Sequence, residues 1–477
     1  MDDACGDIRK FNGLMIDCSR LMEPHGYYFD LVNFMADWGM NTLALHFSDN
    51  HGCGVALPGF ERIAMPNAFT AKEIGELVAH AASKGIDVIP ELETFGHTRF
   101  LTDLSEFEHL RAGAKSDTLT FNAVDPLCPQ SLEVMRALIQ ATCKAFPAKH
   151  IHIGCDEVDI GGYCSTRGLD AEQVWAEYVN KIIAMVRDKG RIPMMWADHP
   201  AKSERLAGLL RKDVALVDWR YTTDVKKSVI RHLRKAGFRT VICAPSIAWC
   251  GLRFFPSKSA FVNTTRMCRF AADPDVAGVI NTAWVPFRYF QSSLYYAIAY
   301  SARCAASGGN TLMPEFRTEF GVKMFGVEED PDLDAFLTYW PDIEFDGSLA
   351  GKLCEGKLSF MPYELEKLER ARSTGLKAIL AGERFVPVRR KEVFDAMLLS
   401  ARAAWLCVEY CLLATMADPP QERVATFNEA LVDVEAKALA EWDRTRFPDD
   451  PQKFSPKFKD EESSHALCLL KRLHGKF

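Results

Sequence analysis

The sequence predicts an α/β fold: a (β/α)8 TIM barrel followed by an α-helical C-terminal domain. Three observations predict it. From residue 13 to about 306, eight short apolar runs alternate with amphipathic stretches. Runs that are apolar throughout, with helices between them, read as strands buried on both faces of a parallel sheet. Polar and aromatic residues cluster just after the runs, on what would be the C-terminal face of a barrel. No glycine-rich phosphate loop follows the first run, which argues against a doubly wound open sheet.

The elements follow in order. Residues 14–18 are the first run and 28–38 its helix; 42–46 is the second, with a helix near 71–84. The third run, 86–91, leads through a long loop to a helix over 131–146. Runs four to six are 150–155, 192–196 and 214–219, with helices near 171–189, 203–210 and 225–236. Runs seven and eight are 240–244 and 276–284, followed by 260–272 and 292–306. After about residue 310, proline-rich and acidic loops lead into helical segments near 362–381, 390–416, 422–442 and 461–473. The division is a catalytic barrel over 1–310 and a helical domain over 311–477, the second showing no chemistry of its own.

Composition narrows the function. The 477 residues are 48% hydrophobic and 25% charged, the profile of a globular protein with a large core. A net charge of −7, with no strongly basic stretch, excludes nucleic acid as the main partner. The 15 cysteines form no CxxC pairs, and Cys18, Cys243, Cys407 and Cys411 sit inside apolar runs. They read as buried free thiols of a reducing compartment. The start, MDDACGDIRK, lacks the apolar core of a signal peptide, so a cytoplasmic location is expected. The longest apolar stretch, 393–416, carries Asp395, Arg402 and Glu409. It is expected to be buried in protein, with no membrane as partner.

The chemistry centres on His152-Ile153-Gly154-Cys155-Asp156-Glu157. The run reads as a buried strand ending in two adjacent carboxylates on a rigid mount. Neighbouring acids cannot both ionise freely, so one pKa rises. A raised carboxyl is what a glycosidase uses to protonate a leaving oxygen. An exposed Asp-Glu pair on a turn is the plainer alternative. Asp17, His46, Asp49, Glu91, Trp196, Asp198, Trp219, Tyr221 and Trp284 also follow runs and are predicted on the same face.

These residues resemble glycoside hydrolase family 20, the β-N-acetylhexosaminidases. Gly13-Leu14-Met15-Ile16-Asp17-Cys18-Ser19-Arg20 looks like the family's first strand, and Trp38-Gly39-Met40-Asn41 leading to His46-Phe47-Ser48-Asp49 like its second. Ile89-Pro90-Glu91-Leu92-Glu93-Thr94-Phe95-Gly96-His97 resembles the third-strand signature. Asp125-Pro126, Phe146-Pro147 and His152 through Glu157 resemble the approach to the catalytic pair, and Pro193-Met194-Met195-Trp196-Ala197-Asp198 the fifth strand.

The resemblance implies an exo-acting, retaining, substrate-assisted hydrolase of terminal GlcNAc or GalNAc. Glu157 would be the general acid. Asp156 would hold the 2-acetamido group so that its oxygen attacks the anomeric carbon, giving an oxazolinium ion. No cofactor and no metal are implied. His97 is expected to orient Asp156 or tune Glu157, unless it is a core histidine; the same choice stands for His152. Trp196, Trp219 and Trp284 would wall a sugar pocket, or cap the barrel. Asp49 and Glu91 would bind hydroxyls, or loop amides. Asp198 falls within the matched fifth-strand motif and is expected to bind substrate.

Departures from the family pattern are visible. Asn12 stands where an arginine that grips sugar hydroxyls is expected before the glycine of strand one. Trp284-Val285-Pro286 replaces a Trp-x-Glu, with Arg288 nearby as a partner for an anionic group. A Tyr-x-Asp is missing from 244–249, and Tyr221 is the candidate substitute. Cys155 replaces a glycine. Two rivals follow. A metal-dependent barrel hydrolase would draw on His46, Asp49, His51, His97, His152 and Asp156, though no His-x-His is present. A non-catalytic sugar-binding protein would have no need of Glu157.

Overall fold

The computed structural model describes residues 10–113, 123–249 and 253–475. The N-terminal decapeptide from which a missing signal peptide is read lies, but for Lys10, outside them. Eight parallel strands follow one another around a closed barrel: β1 (Phe11–Asp17), β2 (Thr42–His46), β3 (Asp87–Glu91), β4 (His150–His152), β5 (Ile192–Trp196), β6 (Ala215–Trp219), β7 (Val241–Ala244) and β8 (Gly278–Ala283). Strand β8 pairs back onto β1 in parallel, Phe11 opposite Gly278 through Ile16 opposite Ala283. A short extra strand, Ser246–Ala248, lies beside β8.

The two-residue period of a strand explains why the runs are apolar throughout. Met15, Ala44, Ile89, Met194, Val217, Ile242 and Ile280 point into the lumen and form its core. Their neighbours Leu14, Ile16, Leu43, Leu45, Val88, Met195 and Leu216 point outward, into the layer under the helices. Both faces of each strand are therefore dry. The outer layer includes α1 (His25–Asp37), α2 (Ala71–Ser83), α3 (Pro129–Ala145), α4 (Ala171–Asp188), α5 (Glu204–Leu209), α6 (Ser228–Lys235), α7 (Lys258–Ala271) and α8 (Tyr295–Ala306). Local sequence sets their starts. Thr70 and Glu73 form a reciprocal capping box before α2, and Asp170 caps α4 by accepting from the Gln173 amide.

The structure departs from the sequence reading in three places that matter for the site. Strand β4 ends at His152 rather than 155, because Gly154 (φ 64°), Cys155 (φ 72°) and Glu157 (φ 50°) are left-handed and cannot continue a strand. The loop after β2 holds an unforeseen three-stranded sheet, Ser48–Asp49, Gly52–Val55 and Ala64–Phe69. The segment expected as one helix over 461–473 is split into a 3-10 turn, Lys459–Ser464, and a short helix, Ala466–Lys471. His465 divides them, its Nδ1 accepting from the amides of Leu467 and Cys468 as a helix cap.

Beyond the barrel, the longest helices are α9 (Pro362–Arg384), α10 (Lys391–Ala414) and α11 (Gln421–Thr445). Among the described residues α10 alone is long and apolar enough to cross a membrane, yet most of its side chains are buried inside the protein. Its Glu409 is paired by Arg372 at 2.6 Å and Arg423 at 2.9 Å. The cysteines among the described residues are free thiols.

Candidate active site

The mouth of the barrel holds a pocket of about 220 Å³ lined by Arg20, Asp49, His97, Asp156, Glu157, Trp219, Tyr221, Trp249, Trp284, Val285, Arg288 and Glu461. It is smaller than the ~300–1,000 Å³ usual for drug-sized ligands. Its scale suits one sugar ring.

The carboxylate pair sits on the left-handed loop after β4. Contacts with neighbouring elements hold that loop. The Thr94 hydroxyl donates to the Ile153 carbonyl at 2.7 Å, the Glu157 amide donates to Asp198 Oδ2 at 3.3 Å, and the Val158 amide donates to His199 Nε2 at 3.0 Å. Two glycines are required by close approach. A Cβ on Gly96 would come within 2.7 Å of the Asp156 carbonyl oxygen, and one on Gly154 would overlap the Glu93 carboxylate. Glu93 is completely buried, and neither of its oxygens has a hydrogen-bond partner among the described residues. Burial, reinforced by Asp156, raises its carboxyl well above the usual range.

His97 bridges the site. Its Nδ1 faces Asp49 Oδ2 at 3.5 Å, and its Nε2 faces Glu157 Oε2 at 3.4 Å and Asp156 Oδ2 at 3.8 Å. Burial disfavours the imidazolium, but the Asp49 and Asp156 carboxylates outweigh it and lift its pKa well above the usual value. Asp49 is fully buried. Burial opposes its charge, yet Arg20 and His97 hold it well below the usual range. Arg20 spans two acids, donating to Asp17 Oδ2 and Asp49 Oδ2 at 2.8 Å each, and lies over the Trp284 ring at 5.4 Å. His46 braces Asp49 from below at 3.0 Å.

The two catalytic candidates have opposite acidities. Burial pushes Asp156 up to about 7 against the pull of His97, with Asp198 and Glu157 adding to the rise. Glu157 is held low, first by the His97 imidazole that faces it; its side chain is 41% exposed. The sequence expectation that one of two adjacent acids rises is met at Asp156, not at the expected general acid. The reason is position: Asp156 faces inward among other acids, whereas Glu157 faces solvent and a cation.

The aromatic residues divide into two layers. Trp219, Tyr221 and Trp284 line the pocket, and Trp284 Nε1 donates to the Tyr221 hydroxyl at 2.8 Å. Trp196 lies deeper and does not line it: 2% exposed, it belongs to the lumen core and donates to Glu91 Oε1 at 2.6 Å. Lumen or mouth depends on where a strand ends, which its sequence leaves open. Asp198 also stays outside the lining and acts on the Glu157 amide. His152 is a core histidine. Burial lowers it to about 4, and its Nδ1 accepts from the Gly154 amide at 3.1 Å. Glu91 is buried between His46 and Trp196, outside the pocket lining.

One departure from the family pattern takes a different meaning. Asn12 lies near the N-terminal end of β1, at the opposite end of the barrel, where its amide donates to the Ala302 carbonyl at 3.2 Å. Asn12 is not part of the pocket lining. The arginines that line the pocket are Arg20, three residues beyond Asp17, and Arg288, as the sequence reading expected for the latter. Sequence reasoning also passed over Trp249 and Glu461. Arg20 had a local signal, an Asp-x-x-Arg at a strand end; Glu461, far along the chain, had none.

Among the described residues, two groups have donor atoms spaced closely enough for a cation: His46, Glu91 and Glu93, and His97, Asp156 and Glu157. In both, carboxylates already face the two ring nitrogens of the histidine.

A parallel (β/α)8 barrel with adjacent carboxylates, a bridging histidine and an aromatic box at its C-terminal mouth is the arrangement expected of a barrel glycoside hydrolase. Residues 10–258, just over half of the chain, match the model of the glycosyl hydrolase family 20 catalytic domain, and the chain belongs to that family. It is 26% identical over 276 residues to the beta-hexosaminidase of Akkermansia muciniphila, covering 51% of this chain and 54% of that one. The chain spans about half the length of the curated relatives it matches. Among solved structures, the beta-N-acetylhexosaminidase from Bacteroides fragilis aligns with a TM-score of 0.53 at 17% identity, over 66% of this chain and 69% of that one. The Flavobacterium johnsoniae chitobiase aligns with a TM-score of 0.52 at 13% identity, over 97% and 77%. At these identities the likeness is one of fold.

Proposed function

We propose that this protein is an exo-acting, retaining β-N-acetylhexosaminidase that removes a terminal 2-acetamido sugar with the help of the substrate's own amide. The observation that carries the reading is the Asp156–Glu157 pair, joined through His97 on one wall of a pocket the size of a single sugar.

The roles follow from position. Glu157, at the open side, donates its proton to the glycosidic oxygen and later takes one from water. Asp156, at the buried side, accepts from the acetamido N–H and stabilises the positive charge that develops there. Tyr221, whose hydroxyl accepts from Trp284 and which lines the pocket, is the candidate donor to the acetamido oxygen. Trp219, Trp249 and Trp284 wall the ring and exclude water. In the ligand-free pair, burial favours the protonated form of Asp156, while His97 favours the ionised form of Glu157. Catalysis needs the proton on Glu157, and the charge developing beside Asp156 favours the transfer. The pair titrates as a unit. For location, the scattered thiols support a reducing compartment.

The test is hydrolysis of chromogenic β-GlcNAc and β-GalNAc glycosides by the wild type, Asp156→Asn and Glu157→Gln, with the plain β-glucoside as control. Turnover of the acetamido sugars alone, lost in both variants, is expected. Equal cleavage of the glucoside would remove the amide from the mechanism. Sugar binding without turnover would favour the non-catalytic reading.

A further inference from the structure

One wall of the pocket comes from the helical region rather than the barrel. Glu461 lies on the 3-10 turn Lys459–Ser464, is 3% exposed, and lines the pocket. Its Oε2 accepts from His51 Nε2 at 2.6 Å, while its Oε1 is buried with no hydrogen-bond partner among the described residues. The surrounding chain is tied to the barrel mouth. Lys457 Nζ donates to the carbonyls of Asn50 and His51 at 2.8 and 3.0 Å. Gln452 donates to the Arg20 carbonyl at 2.5 Å, and Arg446 to those of Pro286 and Tyr289 at 2.7 and 3.0 Å. These acceptors lie on the loops that carry Arg20, Asp49 and Trp284.

A carboxylate oxygen held without a donor at a pocket wall is a costly arrangement in the empty protein. A ligand hydroxyl supplies the missing donor. The loop after β8 offers no acid, running Trp284, Val285, Pro286 to the cation Arg288. Asp49 is saturated by Arg20 and His46, and Asp156 and Glu157 are committed to the reacting centre. Glu461 is the remaining carboxylate of the lining.

We propose that Glu461 is a specificity-determining residue whose carboxylate accepts a hydrogen bond from a ring hydroxyl of the terminal sugar. The inference rests on the reading that the pocket takes a 2-acetamido sugar. Recognition by a fixed acceptor makes the site sensitive to that hydroxyl, because a ligand lacking it leaves the carboxylate unpaired again.

The experiment is a substrate-by-variant cycle. kcat/KM is measured for the chromogenic β-GlcNAc glycoside and its 3-, 4- and 6-deoxy analogues with the wild type, Glu461→Ala and Glu461→Gln. Binding of N-acetylglucosamine and the matching deoxy sugars is measured in parallel by calorimetry. The wild type is expected to lose about 10- to 100-fold on one analogue. Glu461→Ala should lose a similar factor on the parent and little more on that analogue. Glu461→Gln, still an acceptor, should keep part of the discrimination, and it carries the comparison if the alanine variant does not fold. Deoxy penalties equal in wild type and variants would overturn the assignment. Binding that shows the cycle without turnover would refute the hydrolase reading and uphold Glu461; absence of both binding and turnover would refute both.

Discussion

Replacing His97 with glutamine removes a cation from between Asp49 and the carboxylate pair while keeping a hydrogen-bonding side chain. The reactive free enzyme holds one proton on the pair, so kcat/KM falls as pH rises through the upper pKa, about 7 and carried by Asp156, and falls again as Glu157 takes a second proton at low pH. His97 depresses both groups, so its removal moves both limbs upward. Its Nε2 is 3.8 Å from Asp156, which at an effective dielectric of about 20 corresponds to roughly 4 kcal/mol, an upper bound of about three pH units. The 3.4 Å contact to Glu157 is with a side chain 41% exposed; solvent screening brings it to roughly 1 kcal/mol, about one unit. The assay is a stopped measurement of β-GlcNAc hydrolysis over a wide pH range at constant ionic strength. A basic limb displaced upward by one to three units is expected. A limb that stays where it is in the wild type, with activity retained, would falsify the assignment of a charged His97 acting on Asp156.

Further outcomes follow from the same geometry. Glu93 stays protonated when folded but ionises when unfolded, so stability declines as pH rises above about 4.5, by about 1.4 kcal/mol per unit until the raised folded pKa is reached. Glu93→Gln should abolish that slope in denaturant titrations at pH 5 and 7; an unchanged slope would show that the group is ionised in place. Gly154→Ala forces a left-handed alanine against the Glu93 carboxylate, costing on the order of 1–3 kcal/mol for the backbone alone. Displacement of the pair should also lower kcat by on the order of 100-fold, read against a modest fall in Tm. Arg20→Met strands the buried Asp17 and Asp49 carboxylates, and a loss of about 3–5 kcal/mol is expected in chemical denaturation.

The barrel was legible because its strands are dry on both faces, a pattern that depends only on local sequence. The carboxylate pair was legible from its place at the end of the fourth run, although β4 itself covers only His150–His152. Its exact mount was not: left-handed Cys155 and Glu157 have side chains that ordinarily avoid that conformation, and packing around Glu93 and Gly96 imposes it. Trp196 and Trp219 both end strands, and only the depth at which each strand stops separates a core residue from a pocket wall. Asn12 and Arg20 show the same limit along one strand: eight residues carry the chain from the floor of the barrel to its mouth. Glu461 had no local signal, because its place depends on the path of the whole helical region.

The His51–Glu461 contact joins residues 410 positions apart. Loops that long close late, after local strand and helix contacts have formed. Recovery of the pocket during refolding should therefore lag behind recovery of helical and sheet signal, and removal of the turn Lys459–Ser464 would leave one side of the pocket open. The geometry of the pocket thus waits on the docking of residues far along the chain from the barrel's own strands.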